Sequence, residues 1–200
     1  MSSIIIQLGK ISRIASKKYA EIEDIILFGS FMRGKANPDD IDILVLFKNK
    51  VNKDIEYEIK KSLSNIIKNI SIISKTAETA KEASFDGREG MLFEGYSLIN
   101  SRFIASDSGF ASFGLFLYDT SGFSNTEKTR FYYALNGRAS SGGIIDRIDG
   151  IKLSDSIIAV PLAKIDLAKE FFEHWKIGYK YIPSLIPQRL GRKSIIGKVR

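Results

Sequence analysis

The chain has 200 residues, 44% hydrophobic and 11% aromatic, which is enough to bury the core of one medium domain or of a domain with a smaller companion. No apolar run approaches the roughly 20 residues of a membrane helix, and the first residues lack the apolar centre of a signal peptide, so we expect a cytoplasmic protein without a membrane span. The absence of cysteine excludes disulfides, thiolate metal sites and cysteine nucleophiles. The formal net charge of +7 favours anionic partners.

The first half of the chain predicts the order helix, strand, strand, helix, strand. Apolar residues recur at helical spacing in residues 3–20 and again from Lys53 onward. Proline and aspartates in 35–40 predict a turn. Short apolar runs predict strands at 24–30, 41–47 and 69–74.

Further elements are predicted along the rest of the chain. We expect a polar helix at 76–87, a strand at 90–99, and a linker in the small-residue stretch 105–112. Beyond the linker, the pattern predicts a strand at 113–119, a capped helix at 124–138, a hairpin about Asp149-Gly150, a strand at 156–160, a helix at 162–176 and a strand at 179–183.

This order of elements predicts an α+β fold with two parts. The first domain is expected at 1–104, with a small mixed β-sheet and helices. A second, small and basic α+β domain is expected at 112–187, and a basic tail at 188–200.

Two aspartates, Asp40 and Asp42, occur at the start of the second predicted strand. Strand side chains alternate between faces, so both would project from the same side. Adjacent carboxylates repel each other and are costly to bury unless a cation compensates them. Mg²⁺ prefers oxygen ligands and is usually completed by waters and nucleotide phosphates. The pair therefore predicts a divalent metal site.

The Gly-Ser pair that ends the preceding predicted strand is suited to phosphate binding. Gly29 lets the backbone approach a ligand closely, so that its amides can face a phosphate. Ser30 adds a hydroxyl donor, and Arg33 is close enough in sequence to reach a triphosphate.

The stretch "FGSFMRGKANPDDIDILV" resembles the nucleotidyltransferase signature of the DNA polymerase beta superfamily: Gly-Ser, a loop of nine residues, then Asp, any residue, Asp and a hydrophobic run. "GSFMRG" and "DDIDILV" resemble especially the minimal nucleotidyltransferases of archaea and bacteria. "EGMLFEGYSL" is similar to the strand that closes this domain, so the likeness covers about 1–104. The second half is similar to the extra C-terminal part of uncharacterised archaeal members.

The resemblance implies a polymerase-beta-like fold and a reaction. Gly29 and Ser30 would bind the triphosphate, Arg33 would contact a phosphate, and Asp40 and Asp42 would be catalytic and hold Mg²⁺ or Mn²⁺. A nucleoside triphosphate, with ATP expected, would donate its nucleoside monophosphate to an acceptor hydroxyl and release pyrophosphate.

One position departs from the family pattern. Family members usually carry a third carboxylate on the next strand, where this chain has Ser71, a poor metal ligand and a poor base. Glu94 and Glu89 are the nearest acids that could replace it. The alternative is a catalytically weak or inactive module that binds nucleotide or nucleic acid, or acts like an antitoxin.

The basic second half suggests where an acceptor could bind. It offers a surface for nucleic acid or protein through six cations: Arg130, Arg138, Arg147, Lys152, Lys164 and Lys169. Tyr132 and Tyr133 could stack on bases, although core packing is favoured for at least one of them. The last stretch concentrates further cations without an acid: Arg189, Arg192, Lys193, Lys198 and Arg200.

Overall fold

The computed structural model describes residues 3–35, 40–138 and 141–190. The chain folds as two compact units. The first unit comprises Met1–Met32 and Ala36–Ser108, and the second comprises Arg33–Lys35 and Gly109–Arg200.

The first unit combines helices with one five-stranded sheet. Its helices are α1 (Ser3–Lys18), α2 (Lys53–Ser64), α3 (Arg88–Glu94) and α4 (Ile104–Asp107). Its strands are β1 (Ile22–Phe28), β2 (Ile41–Phe47), β3 (Ile70–Thr76), β4 (Tyr96–Ser97) and β5 (Arg102–Phe103). The sheet order is β3-β2-β1-β4-β5, with β2 and β3 parallel and the other pairs antiparallel. The predicted order helix, strand, strand, helix, strand is confirmed.

The centre of this sheet is apolar on both faces. Ile43 and Val45 of β2 are fully buried on one face, and Leu44 is fully buried on the other. Leu44 belongs to a core cluster with Ile26, Phe28, Ala80, Phe85 and Met91, which joins the sheet to α3. A strand buried on both faces reads as a continuous apolar run, which leaves Asp42 as the polar exception within β2.

Local capping explains where α2 begins. The side chain of Asn52 accepts hydrogen bonds from the backbone amides of Asp54 (3.0 Å) and Ile55 (3.3 Å). The apolar positions Ile55, Ile59 and Leu63 then recur every four residues and are buried.

The second unit is built on a four-stranded antiparallel sheet. Its helices are α5 (Asn125–Asn136), α6 (Ile144–Arg147) and α7 (Ile165–His174). Its strands are β6 (Phe110–Tyr118), β7 (Gly137–Arg138), β8 (Ser141–Gly142), β9 (Ile151–Ser154), β10 (Ile157–Pro161) and β11 (Tyr179–Pro187). The sheet order is β11-β6-β10-β9, and β7 pairs with β8. Both units contain helices and sheet, so the predicted α+β class is confirmed.

Aromatic packing forms the core of the second unit. Phe172 of α7 is fully buried and stacks on Phe116 of β6, with ring centroids 5.5 Å apart. Tyr118 and Phe131 also contact the ring of Phe172. Burial raises the pKa of Tyr118 to about 12, and its hydroxyl donates a hydrogen bond to the carbonyl of Asp155. This cluster ties α5 and α7 to the sheet.

Helix α5 confirms the predicted caps. The hydroxyl of Ser124 accepts from the amide of Glu127, whose carboxylate accepts from the amide of Ser124. Gly137 follows the helix with a φ of +87°, a conformation that glycine adopts without strain. Among the described residues, every helix falls short of the length and apolar character that crossing a bilayer requires.

The predicted strand at 90–99 is largely wrong. Residues Arg88–Glu94 form α3, and the strand is limited to Tyr96–Ser97. Met91 packs on the sheet from the helix, and the amide of Gly95 donates to the carbonyl of Met91 at 2.9 Å. The short apolar run "MLF" fits a helix or a strand, and packing on β1 decided between them.

Two further predictions are also corrected. The predicted helix at 76–87 contains only a 3₁₀ turn at Thr79–Lys81. The predicted hairpin about Asp149 and Gly150 is absent from the described residues, because α6 occupies its first arm and β9 pairs with β10. Ile144 and Ile148 are both buried, and their spacing of four favours a helical turn.

We expect Phe172→Ala to lower the free energy of unfolding of the second unit by about 3–5 kcal/mol, because it removes the ring at the centre of the aromatic core. Chemical denaturation followed by Trp175 fluorescence measures the change. Tyr132→Ala is the matched control, since Tyr132 is 53% exposed, and should change the free energy by less than about 0.5 kcal/mol. Equal effects of the two substitutions would contradict this description of the core.

Candidate functional site

The side chain of Asp42 lies directly against the backbone of Gly29. Antiparallel pairing of β1 and β2 places Asp42 opposite Phe28, the residue before Gly29. A Cβ atom built at Gly29 would overlap the carboxylate oxygen Oδ2 of Asp42, and Gly29 has a φ of +83°. Both constraints require glycine here, because any side chain would be strained and would displace the carboxylate.

The turn after Gly29 is closed by its own backbone. The amide of Met32 donates to the carbonyl of Gly29 at 3.0 Å, and the side chain of Met32 is buried. Ser30 lies within this turn and is half-buried. The Gly-Ser pair is therefore fixed at the end of β1, beside the start of β2.

Ser71 is the direct neighbour of Asp42 on the next strand. In the parallel pairing of β2 and β3, Asp42 is in register with Ser71, and the amide of Ile41 donates to the carbonyl of Asn69 at 3.0 Å. In-register residues of parallel strands project from the same face of the sheet. Ser71 is thus at the position on β3, in register with Asp42, where members of the family that the motif resembles usually carry the third carboxylate.

Asp40 lies in a bend just before β2 and is exposed, whereas Asp42 is half-buried within the strand. Together they offer carboxylate oxygens at the edge where β1 ends and β2 begins. Within the described residues, no group of three or more His, Cys, Asp or Glu side chains is arranged to hold a metal ion. Among the described residues, Asp40 and Asp42 are therefore the two carboxylates that this strand end offers.

Glu94 and Glu89 belong to α3 rather than to a strand. Glu94, at the last position of the helix, is 8% exposed, and Glu89 is exposed and forms an ion pair with Arg88 (3.0 Å). Neither glutamate joins Asp40 and Asp42 in a group of three within the part of the chain that is described.

Arg33 belongs to the second unit, although it follows the Gly-Ser turn closely in sequence. Its Nε atom lies 3.4 Å from Oδ1 of Asp166, which also pairs with Lys169. A phosphate bound by Arg33 would compete with this ion pair. The role of Arg33 as a phosphate contact stays a prediction.

Sequence reasoning overlooked a further carboxylate, Asp24, on the same face of β1 as Phe28. Burial raises its pKa, while hydrogen bonds from the Ser97 hydroxyl (2.8 Å) and the Ile25 amide (2.7 Å) partly offset this effect. Ser97 in turn accepts from the amide of Asn100. The hydrogen bond from Ser97 to Asp24 links β4 to β1, which gives Asp24 a structural role. An acid inside an apolar strand was the signal that could have identified it.

Comparison with known proteins supports the sequence motif over part of the chain. Residues 9–86 match the family model "Polymerase beta, Nucleotidyltransferase". A search of curated proteins finds no match.

Three solved structures are similar to about half of the chain. A mutant of the toxin-antitoxin MntA-HpeT is 18% identical, covering 46% of this chain and 70% of its own, with a TM-score of 0.36. A tri-AMPylated HEPN toxin in complex with MNT antitoxin, from Shewanella oneidensis, matches at 17% identity, 48% and 71% coverage, and a TM-score of 0.32. A toxin-antitoxin with AMP-PNP matches at 19% identity, 45% and 71% coverage, and a TM-score of 0.35.

The family match contains both halves of the motif, from Gly29 and Ser30 to Asp40 and Asp42, and ends before α3. It also contains the second half of α1 and the whole of β1, β2, α2 and β3, whose order the motif requires. Residues 9–86 therefore match the polymerase-beta nucleotidyltransferase model over the elements that carry the motif, and this chain has a second α+β unit beyond them.

Proposed function

We propose that the chain transfers a nucleoside monophosphate from a nucleoside triphosphate, with ATP as the first candidate, to an acceptor hydroxyl. The observation that carries this proposal is the contact between the Asp42 carboxylate and the backbone of Gly29, beside Ser30, within a nucleotidyltransferase domain. The close approach of this carboxylate to the Gly-Ser turn places an acid beside backbone amides and a hydroxyl, which is the combination that a metal-bound triphosphate needs.

The residues present fit a divalent cation. Asp40 and Asp42 supply hard oxygen donors, which suit Mg²⁺ or Mn²⁺, and such ions are commonly held by one or two carboxylates together with phosphate oxygens. When bound, the cation would offset the negative charge of the triphosphate during transfer.

The protein groups orient the triphosphate. The amides of the Gly29-Ser30 turn are candidate donors to a phosphate, and the hydroxyl of Ser30 is an additional donor. In the reaction the acceptor oxygen forms a bond to the α-phosphorus, the bond from that phosphorus to the bridging oxygen breaks, and pyrophosphate leaves. The proton of the acceptor hydroxyl must pass to a base.

Ser71 limits this last step. A serine hydroxyl is a poor base at neutral pH, and it stands in register with Asp42 where a carboxylate would serve better. We infer that transfer is slow unless the acceptor or its protein supplies the base. The same observation favours the second candidate function, a nucleotide-binding or antitoxin-like module with little transfer activity.

Transfer of label from α-labelled nucleoside triphosphates tests the proposal. Each of the four ribonucleotides is offered with Mg²⁺ or Mn²⁺ to total RNA, single-stranded DNA or a protein extract. We expect label to enter one acceptor class, and we expect Asp40→Asn and Asp42→Asn to reduce transfer by about 100-fold or more. Glu58→Gln is the matched control, because it also removes an exposed carboxylate from the same unit, and it should retain activity. Metal-dependent nucleotide binding without any transfer would contradict catalysis and support the binding module.

We expect Ser71→Asp to raise the transfer rate at least about tenfold, because it places a carboxylate in register with Asp42. Initial rates at saturating nucleotide measure the effect. Ser71→Asn is the control, because asparagine has the size of aspartate without its charge, and it should not raise the transfer rate. The idea fails if the asparagine and aspartate variants behave alike, or if the unaltered chain is already as fast as the aspartate variant.

A further inference from the structure

Helix α5 of the second unit presents two adjacent tyrosines to solvent. Tyr132 is 53% exposed and Tyr133 is 41% exposed, so the expectation that at least one would pack in the core is wrong. Phe131 and Leu135 are the residues through which the helix packs on the core. Both phenol hydroxyls lack a hydrogen-bond partner within the described residues. Core packing therefore does not explain this pair.

Each tyrosine ring has a cation placed over it. The guanidinium carbon of Arg138 lies 5.2 Å from the centroid of the Tyr133 ring, and Nζ of Lys152 lies 5.6 Å from that of Tyr132. The two rings are 5.8 Å apart and nearly perpendicular, with an interplanar angle of 74°. Aromatic faces and cations therefore alternate over a short distance.

Each tyrosine also has a cation as its neighbour along α5. Lys128 is four residues before Tyr132, and Arg130 is three residues before Tyr133, which are the spacings at which helix side chains are neighbours. Both are exposed. Each tyrosine thus has one cation preceding it on the helix and another over its ring.

The acids nearby are already engaged. Glu127 is committed to the N-terminal cap of α5 through Ser124. Asp155 pairs with Lys152 at 2.8 Å, so Lys152 is the weaker of the two cations over the rings, and Arg138 is the stronger. Asp119, which accepts hydrogen bonds from Ser121, lies near Lys128, and Glu127 lies near Arg130. The four cations Lys128, Arg130, Arg138 and Lys152 thus outnumber the acids Asp119, Glu127 and Asp155.

We call the surface formed by Tyr132, Tyr133, Arg138 and Lys152 the tyrosine surface. We propose that the tyrosine surface binds single-stranded nucleic acid. Unpaired bases offer faces that stack on exposed aromatic rings, while the phosphates between them pair with cations. A protein partner would not require cations placed over both rings, and a duplex keeps its bases stacked internally. The proposal does not depend on transfer activity.

Fluorescence anisotropy of labelled 12-nucleotide oligouridylate and oligothymidylate with the full chain tests it. We expect both to bind, because stacking does not require the 2′-hydroxyl, and we expect a duplex of the same length to bind more weakly. Tyr132→Ala with Tyr133→Ala should weaken binding to the single strands at least about tenfold. The corresponding double phenylalanine variant should bind as the unaltered chain does, because it keeps both rings.

Two controls separate this surface from general charge. Tyr57→Ala removes a tyrosine that is 64% exposed in the first unit, and should leave binding unchanged. A plot of log affinity against log salt concentration has a negative slope. Arg138→Gln should make this slope less steep by about 0.7, the value for one phosphate contact on a single strand. Residues 191–200 are identical in all variants, so they cannot produce these differences.

The proposal is overturned if the double alanine variant binds single strands as tightly as the unaltered chain. It is also overturned if the phenylalanine variant loses as much affinity as the alanine variant, or if Arg138→Gln leaves the salt slope unchanged. Retention of an extract protein through Tyr132 and Tyr133, with no oligonucleotide bound, would assign the surface to a protein instead.

Discussion

The contact between Asp42 and Gly29 determines how the candidate site is built. A carboxylate can stand within an apolar strand only if space and a compensating partner exist for it. Space is provided by the missing Cβ of Gly29, and the antiparallel register of β1 and β2 brings the two residues together. The register follows from the buried apolar residues on either side, since a shift by one position would turn Leu44 and Ile26 away from the α3 cluster. Core packing and site geometry are therefore coupled.

The sequence predicted the elements that carry the motif well and the elements around them poorly. The apolar run before Gly29 and the apolar run from Ile41 could be interpreted only as strands, because glycine ends the first and aspartates precede the second. The segment 88–99 had two possible interpretations, since Met91 and Phe93 suit a helix as well as a strand. Packing against β1 selected the helix. The exposure of Tyr132 and Tyr133 also depends on tertiary structure. On a helix whose core positions are Phe131 and Leu135, the next residues turn toward solvent.

The strand register gives the departure at Ser71 a physical meaning. A substitution elsewhere on β3 could have been neutral, but Ser71 is level with Asp42 and projects from the same face. This position can add charge to the site or leave it with two carboxylates. In this chain Ser71 adds no charge. Under the proposed mechanism, Asp40 and Asp42 would suffice to bind a metal-nucleotide complex, whereas proton removal from an acceptor would be weakened. Under this proposal, nucleotide binding and nucleotidyl transfer make different demands on the same strand end.

A crystal structure of the chain with Mg²⁺ and a non-hydrolysable ATP analogue would test the central claim most directly. The account predicts a metal ion bound by Asp40 and Asp42, with the triphosphate along the backbone of Gly29 and Ser30 and with the Ser71 hydroxyl outside the coordination sphere. An analogue bound elsewhere, or bound at this strand end without a metal on either aspartate, would contradict it.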